Sequence, residues 1–392
     1  MKLSNRISNI TTGGDDGWSV FYRARALRDA GQPVIELTMG EHDIGTHRSI
    51  LDAMHRSGVA GNTGYSLVPG AMSLRAAVAD RIQTRTGVAT TARNVIIVPG
   101  GQAALFAAHH AVCDPGDVAL YIDPYYATYP GTIRAVGAID RPVRVRAEDG
   151  FHPQRANLEA AATPDVRSLL INSPNNPTGA VYGRDTLDEI ADVCRDRDLW
   201  LISDEVYDTQ VWDGAHISPR SLPDMQDRTL VVGSMSKSHA MTGSRVGWVC
   251  GPEDAIAAIG HLATHNTYGV APFLQDAALF ALAQGTAFEE MVAAPFQRRR
   301  KIVLDALSSQ NAVTAAPVMG AMYAMLDVRA TGLSGKDFAN GLLDAEGIGV
   351  MPGESFGAGG AGHIRVAMTV DDDRFATALT RIVSYAGSLI DG

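Results

Sequence analysis

Lysine is scarce in this chain of 392 residues: four stand against twenty-nine arginines. Cysteine is scarcer still. Cys113, Cys194 and Cys250 are odd in number, far apart and in no CxxC spacing. That pattern argues against disulfides and against a thiolate metal site; no metal centre is expected, and the reducing cytoplasm is the expected compartment. Long apolar runs are missing: no stretch approaches the ~18 continuous apolar residues of a membrane span. Met1 to Arg6 lead into no apolar signal core, so neither insertion nor export by that route is expected. Positive charge is not in excess either. A formal net charge of -10 disfavours a nucleic-acid or anionic-membrane partner. What is present is an apolar fraction of 46% over a length too great for one compact core, which predicts a folded protein of two domains.

Three of the four lysines have bland settings: Lys2 at the terminus, Lys301 beside three arginines, and Lys336 in a turn-like Gly-Lys-Asp. Lys237 differs. It follows the β-branched run Thr229-Leu230-Val231-Val232 and sits among small hydroxyl residues and glycines. A lysine just past a buried strand is costly unless it is used. Desolvation and a cationic neighbour such as Arg245 would lower its pKa, as an amine that forms Schiff bases requires.

Short apolar runs alternate with longer helical patterns, which predicts an α/β domain with a mostly parallel sheet. Five strands are expected at 95–98, 118–122, 168–171, 200–202 and 230–232, with 246–249 as a candidate sixth. Open α/β sheets bind ligands beyond the carboxyl ends of their strands, so the residues after each run are the ones to examine.

After the first run, Pro99-Gly100-Gly101-Gln102-Ala103 opens an alanine-rich helix, where free N–H groups and the positive helix end suit a phosphate. Taken alone, such a turn is more often simple punctuation. After the second run, Tyr125, Tyr126 and Tyr129 offer a ring to stack on a flat group or to pack a domain edge. After the third, two prolines and a glycine stiffen Asn172-Ser173-Pro174-Asn175-Asn176-Pro177-Thr178-Gly179, a loop able to present an amide to a phenolate-type oxygen or to serve as a tight turn. After the fourth stands Asp204. Buried, its charge needs a cationic partner, for which a pyridinium nitrogen would serve; the other reading is an ordinary helix cap.

The order and spacing of these pieces are more specific than any one of them. A glycine turn, then Asn-Pro-Thr-Gly, then Asp204-x-x-Tyr207, then Ser234-x-x-Lys237 with Arg245 eight residues on, closely resembles the class I aminotransferases, pyridoxal-phosphate enzymes of fold type I. Gly40-Glu41-His42-Asp43 is similar to that family's Gly-Glu-Pro-Asp segment, Tyr65 to Gly70 to its Tyr-x4-Gly segment, and His363-Ile364-Arg365 to its arginine strand. The resemblance implies an α/β fold: a large domain over 40–282 on a mostly parallel seven-stranded sheet, and a smaller α+β domain from 1–39 and 283–392 with an N-terminal arm.

It also implies roles, residue by residue. Lys237 would carry pyridoxal 5'-phosphate as a Schiff base and shuttle the substrate proton, with Asp204 on the pyridine nitrogen. Asn176 and Tyr207 would meet the ring hydroxyl oxygen, and Tyr126 would stack on the ring. Ser234, Arg245 and the start of the helix at Gly101, Gln102 and Ala103 would hold the phosphate, joined by Tyr65 from a second subunit; a homodimer with shared sites follows. Arg365 would take the substrate α-carboxylate, helped by Asn176, Gly40 and Trp18.

The implied reaction moves the amino group of an L-amino acid to a 2-oxo acid by a ping-pong mechanism. A C–S β-lyase, decarboxylase or racemase would keep the same residues, and a non-catalytic regulatory module is a distant alternative. Segments around Trp18, Asp204 and Lys237 look particularly like the arginine:pyruvate transaminase branch, so arginine with pyruvate is the first expectation; aspartate or aromatic donors with 2-oxoglutarate come next. Asp15, Asp16 or Asp43 could meet a substrate guanidinium, although solvated surface acids are the simpler reading. His42 replaces the family's usual proline, and His47 lies in a segment that departs from the usual pattern; both read as exposed loop residues.

Overall fold

In the computed structural model, which describes residues 1–11 and 17–390, the apolar runs predicted as strands lie side by side in one sheet. Its strands are β1 (Val95–Val98), β2 (Val118–Asp123), β3 (Ile139–Arg144), β4 (Val166–Asn172), β5 (Trp200–Asp204), β6 (Thr229–Ser234) and β7 (Gly247–Cys250). Across the sheet they run β1-β7-β6-β5-β4-β2-β3. Strands β2 to β6 are mutually parallel, whereas β7 is antiparallel to both β1 and β6.

Both faces of the sheet are covered, which is why its strands read as continuous apolar runs rather than as an alternation. In β2, Val118, Leu120 and Ile122 enter one core while Ala119 and Tyr121 enter another. Helix α1 (Gly100–Val112) covers the second face; α2 (Arg184–Asp196) buries Leu187, Ile190 and Cys194 against the first. Truncating a fully buried residue here, Leu120→Ala for instance, costs about 2–5 kcal/mol.

The sequence reading missed β3. This strand holds Arg141, Pro142 and Arg144, and only Val143 is buried. At the sheet edge a proline's missing N–H and exposed charges cost little, so the strand carries no apolar signature.

A second, four-stranded antiparallel sheet is built from β8 (Thr314–Ala315), β9 (Tyr323–Asp327), β10 (Met351–Pro352) and β11 (His363–Ala367), ordered β10-β11-β9-β8. It packs with helices α3 (Thr286–Leu307), α4 (Gly335–Glu346) and α5 (Asp372–Ile390) into a core of its own, which Val20 and Leu37 from the N-terminal region join. Helix α4 starts where Ser334 accepts from the Asp337 N–H and stops at Gly347, whose φ of 60° is left-handed. Among the described residues, no helix is long and apolar enough to cross a membrane, and Cys113, Cys194 and Cys250 are buried and free.

Candidate active site

The carboxyl ends of β4, β5 and β6 face β11 across a cavity of about 350 Å³, a volume in the range of small-molecule sites. Lys237 lines it. Ser234 ends β6 and caps the short helix Met235–Ser238 by accepting from the Ser236 N–H, so the lysine is placed by a hydrogen-bonded turn rather than by a loose loop. Its Nζ donates to the Gly40 carbonyl. Burial lowers its pKa to about 8; Glu41 opposes that drop, while Arg365 and Arg245 add to it. Gly40 must be glycine, because a Cβ there would stand 1.7 Å from the Tyr323 hydroxyl oxygen.

Asp204 ends β5 at the cavity floor. Burial raises its pKa to about 6, and the Tyr129 hydroxyl, which donates to its Oδ2 at 2.8 Å, holds that rise in check. A buried carboxylate with this environment is short of one cationic partner. The neighbouring strand supplies the frame. Asn172 donates to the Asp204 carbonyl at 2.9 Å and accepts from the Asn176 N–H at 2.8 Å, which fixes the loop after β4 against the carboxyl end of β5. Tyr207 bonds the Tyr323 hydroxyl at 2.9 Å, and burial pushes its pKa well up.

At the phosphate end Arg245 has a left-handed φ of 51°, a sparsely populated conformation for a residue with a side chain, and its guanidinium lies over the start of α1. It donates to the Thr242 carbonyl at 2.8 Å, and a Cβ on Gly100 would meet its Nη2 at 2.4 Å. Ser234, Ser236 and Gly101 line the same end. Hydroxyls, a guanidinium and the positive end of a helix make this an anion cradle.

Arg365 is buried in β11. Its guanidinium is stacked between Tyr323 and Phe356, 4.4 Å from each ring centroid. It donates to Asn176 Oδ1 at 2.9 Å and to the Thr38 carbonyl, while its Nε has no partner among the described residues. A buried guanidinium with no carboxylate on it is arranged for one from outside.

Most of the predicted site residues meet here. Trp18, Tyr126 and Gln102 complete the cavity wall, with Gln102 held by Thr128 and Thr132. Ala103 does not line it. Tyr65 is 90% exposed on the outside of the chain, edge-on to Tyr268. Tyr129, one of the three tyrosines after the second run, touches Asp204, and Tyr323 and Phe356 flank Arg365; the sequence reading gave no role to Phe356.

Two loop readings, those of Asp43 and His42, are corrected, while His47 is exposed as expected. Asp43 is partly exposed but not open to a substrate, because Arg299 of α3 grips it with two bonds of 2.9 and 2.6 Å. His42 is buried edge-on to Phe296, and burial lowers its pKa to about 4, so it is neutral. His47 caps the helix Arg48–Val59 by accepting from the Ser49 N–H. Asp15 and Asp16 lie outside the described residues.

The donor set fits pyridoxal phosphate: a buried amine of lowered pKa, a carboxylate wanting a cation, an anion cradle, and an unpaired guanidinium for a carboxylate. Comparison with known proteins agrees. The family model described as aminotransferase class I and II matches residues 32–382. The chain is 40% identical over 390 residues to an arginine–pyruvate transaminase of Pseudomonas aeruginosa, covering 100% of this chain and 99% of that one. It is 34% identical over 369 residues to an aspartate/prephenate aminotransferase of Thermus thermophilus, covering 93% and 94%. The solved aspartate aminotransferase of Thermus thermophilus with maleate superposes with a TM-score of 0.92 at 32% identity, covering 98% of this chain and 100% of that one. The chain therefore belongs to the class I and II aminotransferases, and is a pyridoxal-phosphate-dependent transaminase of fold type I that acts on amino acids and 2-oxo acids.

Proposed function

We propose that the chain transfers the amino group of L-arginine to pyruvate, with Lys237, Asp204 and Arg365 as its central residues. When bound, pyridoxal phosphate supplies a ring that withdraws electrons from the substrate α-carbon and carries the amino group between half-reactions. Lys237 anchors the cofactor through Nζ and moves the proton at the α-carbon, a task matched by its pKa of about 8. Asp204 holds the positive charge of the pyridine nitrogen, and Tyr129 steadies Asp204. The Asn176 amide and the Tyr207 hydroxyl meet the ring oxygen, while Tyr126 packs on the ring. Ser234, Arg245 and the first turn of α1 at Gly101 and Gln102 take the phosphate. Arg365 binds the substrate carboxylate as a bidentate pair, with Gly40 and Trp18 closing the space around it.

Relatedness supports this donor: the arginine–pyruvate transaminase matches end to end at 40% identity, against 34% for the aspartate/prephenate enzyme.

The working unit in this reading is a homodimer, with 40–282 as the cofactor domain and 1–39 and 283–392 as the smaller one. Tyr65, Leu67, Met72 and Tyr268 are large exposed apolar residues of the kind a second copy covers, and Tyr65 lies where it serves no site of its own chain. The test is a half-reaction: the loaded enzyme is mixed with single amino acids without an acceptor, and conversion of cofactor absorbance to the pyridoxamine form is followed. Fast conversion with arginine supports the reading; conversion with aspartate or phenylalanine but not arginine overturns it.

A further inference from the structure

Arg365 is flanked by two rings that are held in different ways. Tyr323 belongs to β9, which pairs with the strand of Arg365 itself, so the small sheet fixes it. Phe356 lies on no strand: it ends the turn Gly353–Phe356 between β10 and β11. Glu354 ties that turn to its own domain by accepting from the Gly335 and Gly362 N–H groups at 3.0 and 3.1 Å. The large domain ties it from the other side. The Tyr125 N–H donates to the Phe356 carbonyl at 2.9 Å, and Asp123, the last residue of β2, accepts from the Gly359 N–H through Oδ1 at 2.9 Å. Asp123 is 2% exposed and lies outside the lining of the cavity. Arg144, beside its other oxygen, stands 3.9 Å away and is mostly exposed, so it offers little to a charge buried this deeply. Burial accordingly raises the Asp123 pKa, and the Gly359 N–H opposes that rise. A buried acid without a close cation is costly, and the turn is shaped to reach it: a Cβ on Gly357, whose φ is 106°, would stand 2.2 Å from Asp123 Oδ1.

We infer that Asp123 is a positioning residue for the substrate carboxylate: by holding the turn 353–360 on the end of β2, it keeps the Phe356 ring on the Arg365 guanidinium. The chain of contacts is continuous. It runs from Asp123 to Gly359, through the turn to Phe356, and from that ring across 4.4 Å to the guanidinium carbon. Asp123, Phe356 and Arg365 are all buried within the one chain. A guanidinium between two rings is held in one plane, and a bidentate pair with a carboxylate requires that plane. With Phe356 loose, Arg365 keeps its charge and loses its aim, so donors should bind less tightly while proton transfer at Lys237 is spared. The inference rests on the assignment of Arg365 to the α-carboxylate and deepens it by naming what aims that residue.

The experiment is the donor half-reaction of the loaded enzyme, which reads donor affinity and limiting rate separately. Asp123→Ala is expected to weaken binding of every donor by about five- to tenfold, with the limiting rate within about twofold of wild type. Asp123→Asn keeps an oxygen in place for the Gly359 N–H and should recover most of that loss. Phe356→Leu should weaken binding too, and adding Asp123→Ala to it should change little more, because both act through one ring. Losses that multiply in the double variant overturn the inference. So does Asp123→Ala with wild-type donor affinity, or with a loss confined to the limiting rate. Arg365→Lys is measured alongside: if it leaves donor affinity intact, the carboxylate reading fails and this one with it; if it weakens binding and Asp123→Ala does not, only this inference falls. Should Asp123→Ala not fold, Gly359→Ala sets a Cβ 2.6 Å from the Asp123 carbonyl oxygen, pressing the turn off the strand, and the same comparison is made with it.

Discussion

The Tyr129 hydroxyl reaches Asp204 Oδ2 at 2.8 Å beneath the cavity, joining the start of a helix that follows β2 to the end of β5. Both groups are buried, and each alters the other: the bond restrains the rise of the Asp204 pKa, while the carboxylate helps push the tyrosine's pKa far up. Tyr129 is therefore a permanent donor. Tyr129→Phe keeps the ring and removes that bond, so the Asp204 pKa should rise beyond about 6. The acid limb of the rate profile should then move to higher pH, with a loss of about tenfold or less near neutrality. A profile superimposable on wild type would show that Asp204 does not depend on Tyr129.

Asp204 itself sets function against stability. Its folded pKa of about 6 lies above the usual carboxylate value, so the folded state binds the proton more tightly than the unfolded chain. Stability of the cofactor-free protein therefore falls as pH rises from about 4 to about 6, and the penalty persists above that range. Asp204→Asn should make the cofactor-free protein more stable at pH 8, by roughly 1–3 kcal/mol, and make no difference near pH 4. The same variant should lose on the order of a thousandfold in turnover, having no charge for the pyridine nitrogen. Denaturant midpoints at the two pH values, measured with the rate, check both halves.

Lys237→Ala should abolish turnover and the absorption band of lysine-linked cofactor while the far-ultraviolet spectrum stays native. The fold tolerates the change because the amine is a buried burden, its pKa held down to about 8. Retained activity would remove the central role from this residue.

How much of this was legible in the sequence differs by element. β4, β5 and β6 were visible because burial on both faces makes them apolar, and the residues after them were visible because strand ends are where α/β sheets act. β3 was hidden by Arg141, Pro142 and Arg144, which an edge position permits. The Arg365 environment was hidden for another reason. Tyr323 is paired with Ala367 across the small sheet, so its closeness to Arg365 is a matter of register between distant segments. Asp43 misled because its partner, Arg299, lies in a basic run that locally looks solvated.

Arg365→Lys tests the stacked guanidinium. Lysine keeps the charge but loses the planar fork, the stack between Tyr323 and Phe356, and the bond to Asn176. The KM for every donor should rise, with kcat/KM down about a hundredfold, because all donors share the α-carboxylate. A loss confined to arginine would instead place Arg365 at the side chain.

Asp43 should act on stability and leave the choice of donor alone. Asp43 is engaged by both ends of the Arg299 guanidinium, which also donates to Asp372 at 2.8 Å and to the Met368 carbonyl at 2.9 Å. This network ties the segment after Gly40 to α3 and to the start of α5. Asp43→Asn weakens a pair whose arginine is buried while its carboxylate is partly exposed, so the expected cost is about 1–3 kcal/mol of stability. The pair also holds the Asp43 pKa down, so its stabilisation is present above the ordinary carboxylate range and is lost as pH falls below it. The cost of the variant should accordingly shrink in strong acid. The ratio of turnover with L-arginine to turnover with L-citrulline, its uncharged isostere, should stay at the wild-type value, since both Asp43 oxygens are engaged by Arg299. Thermal melts across pH, alongside that ratio, decide the matter: a changed ratio with unchanged stability would return Asp43 to the substrate.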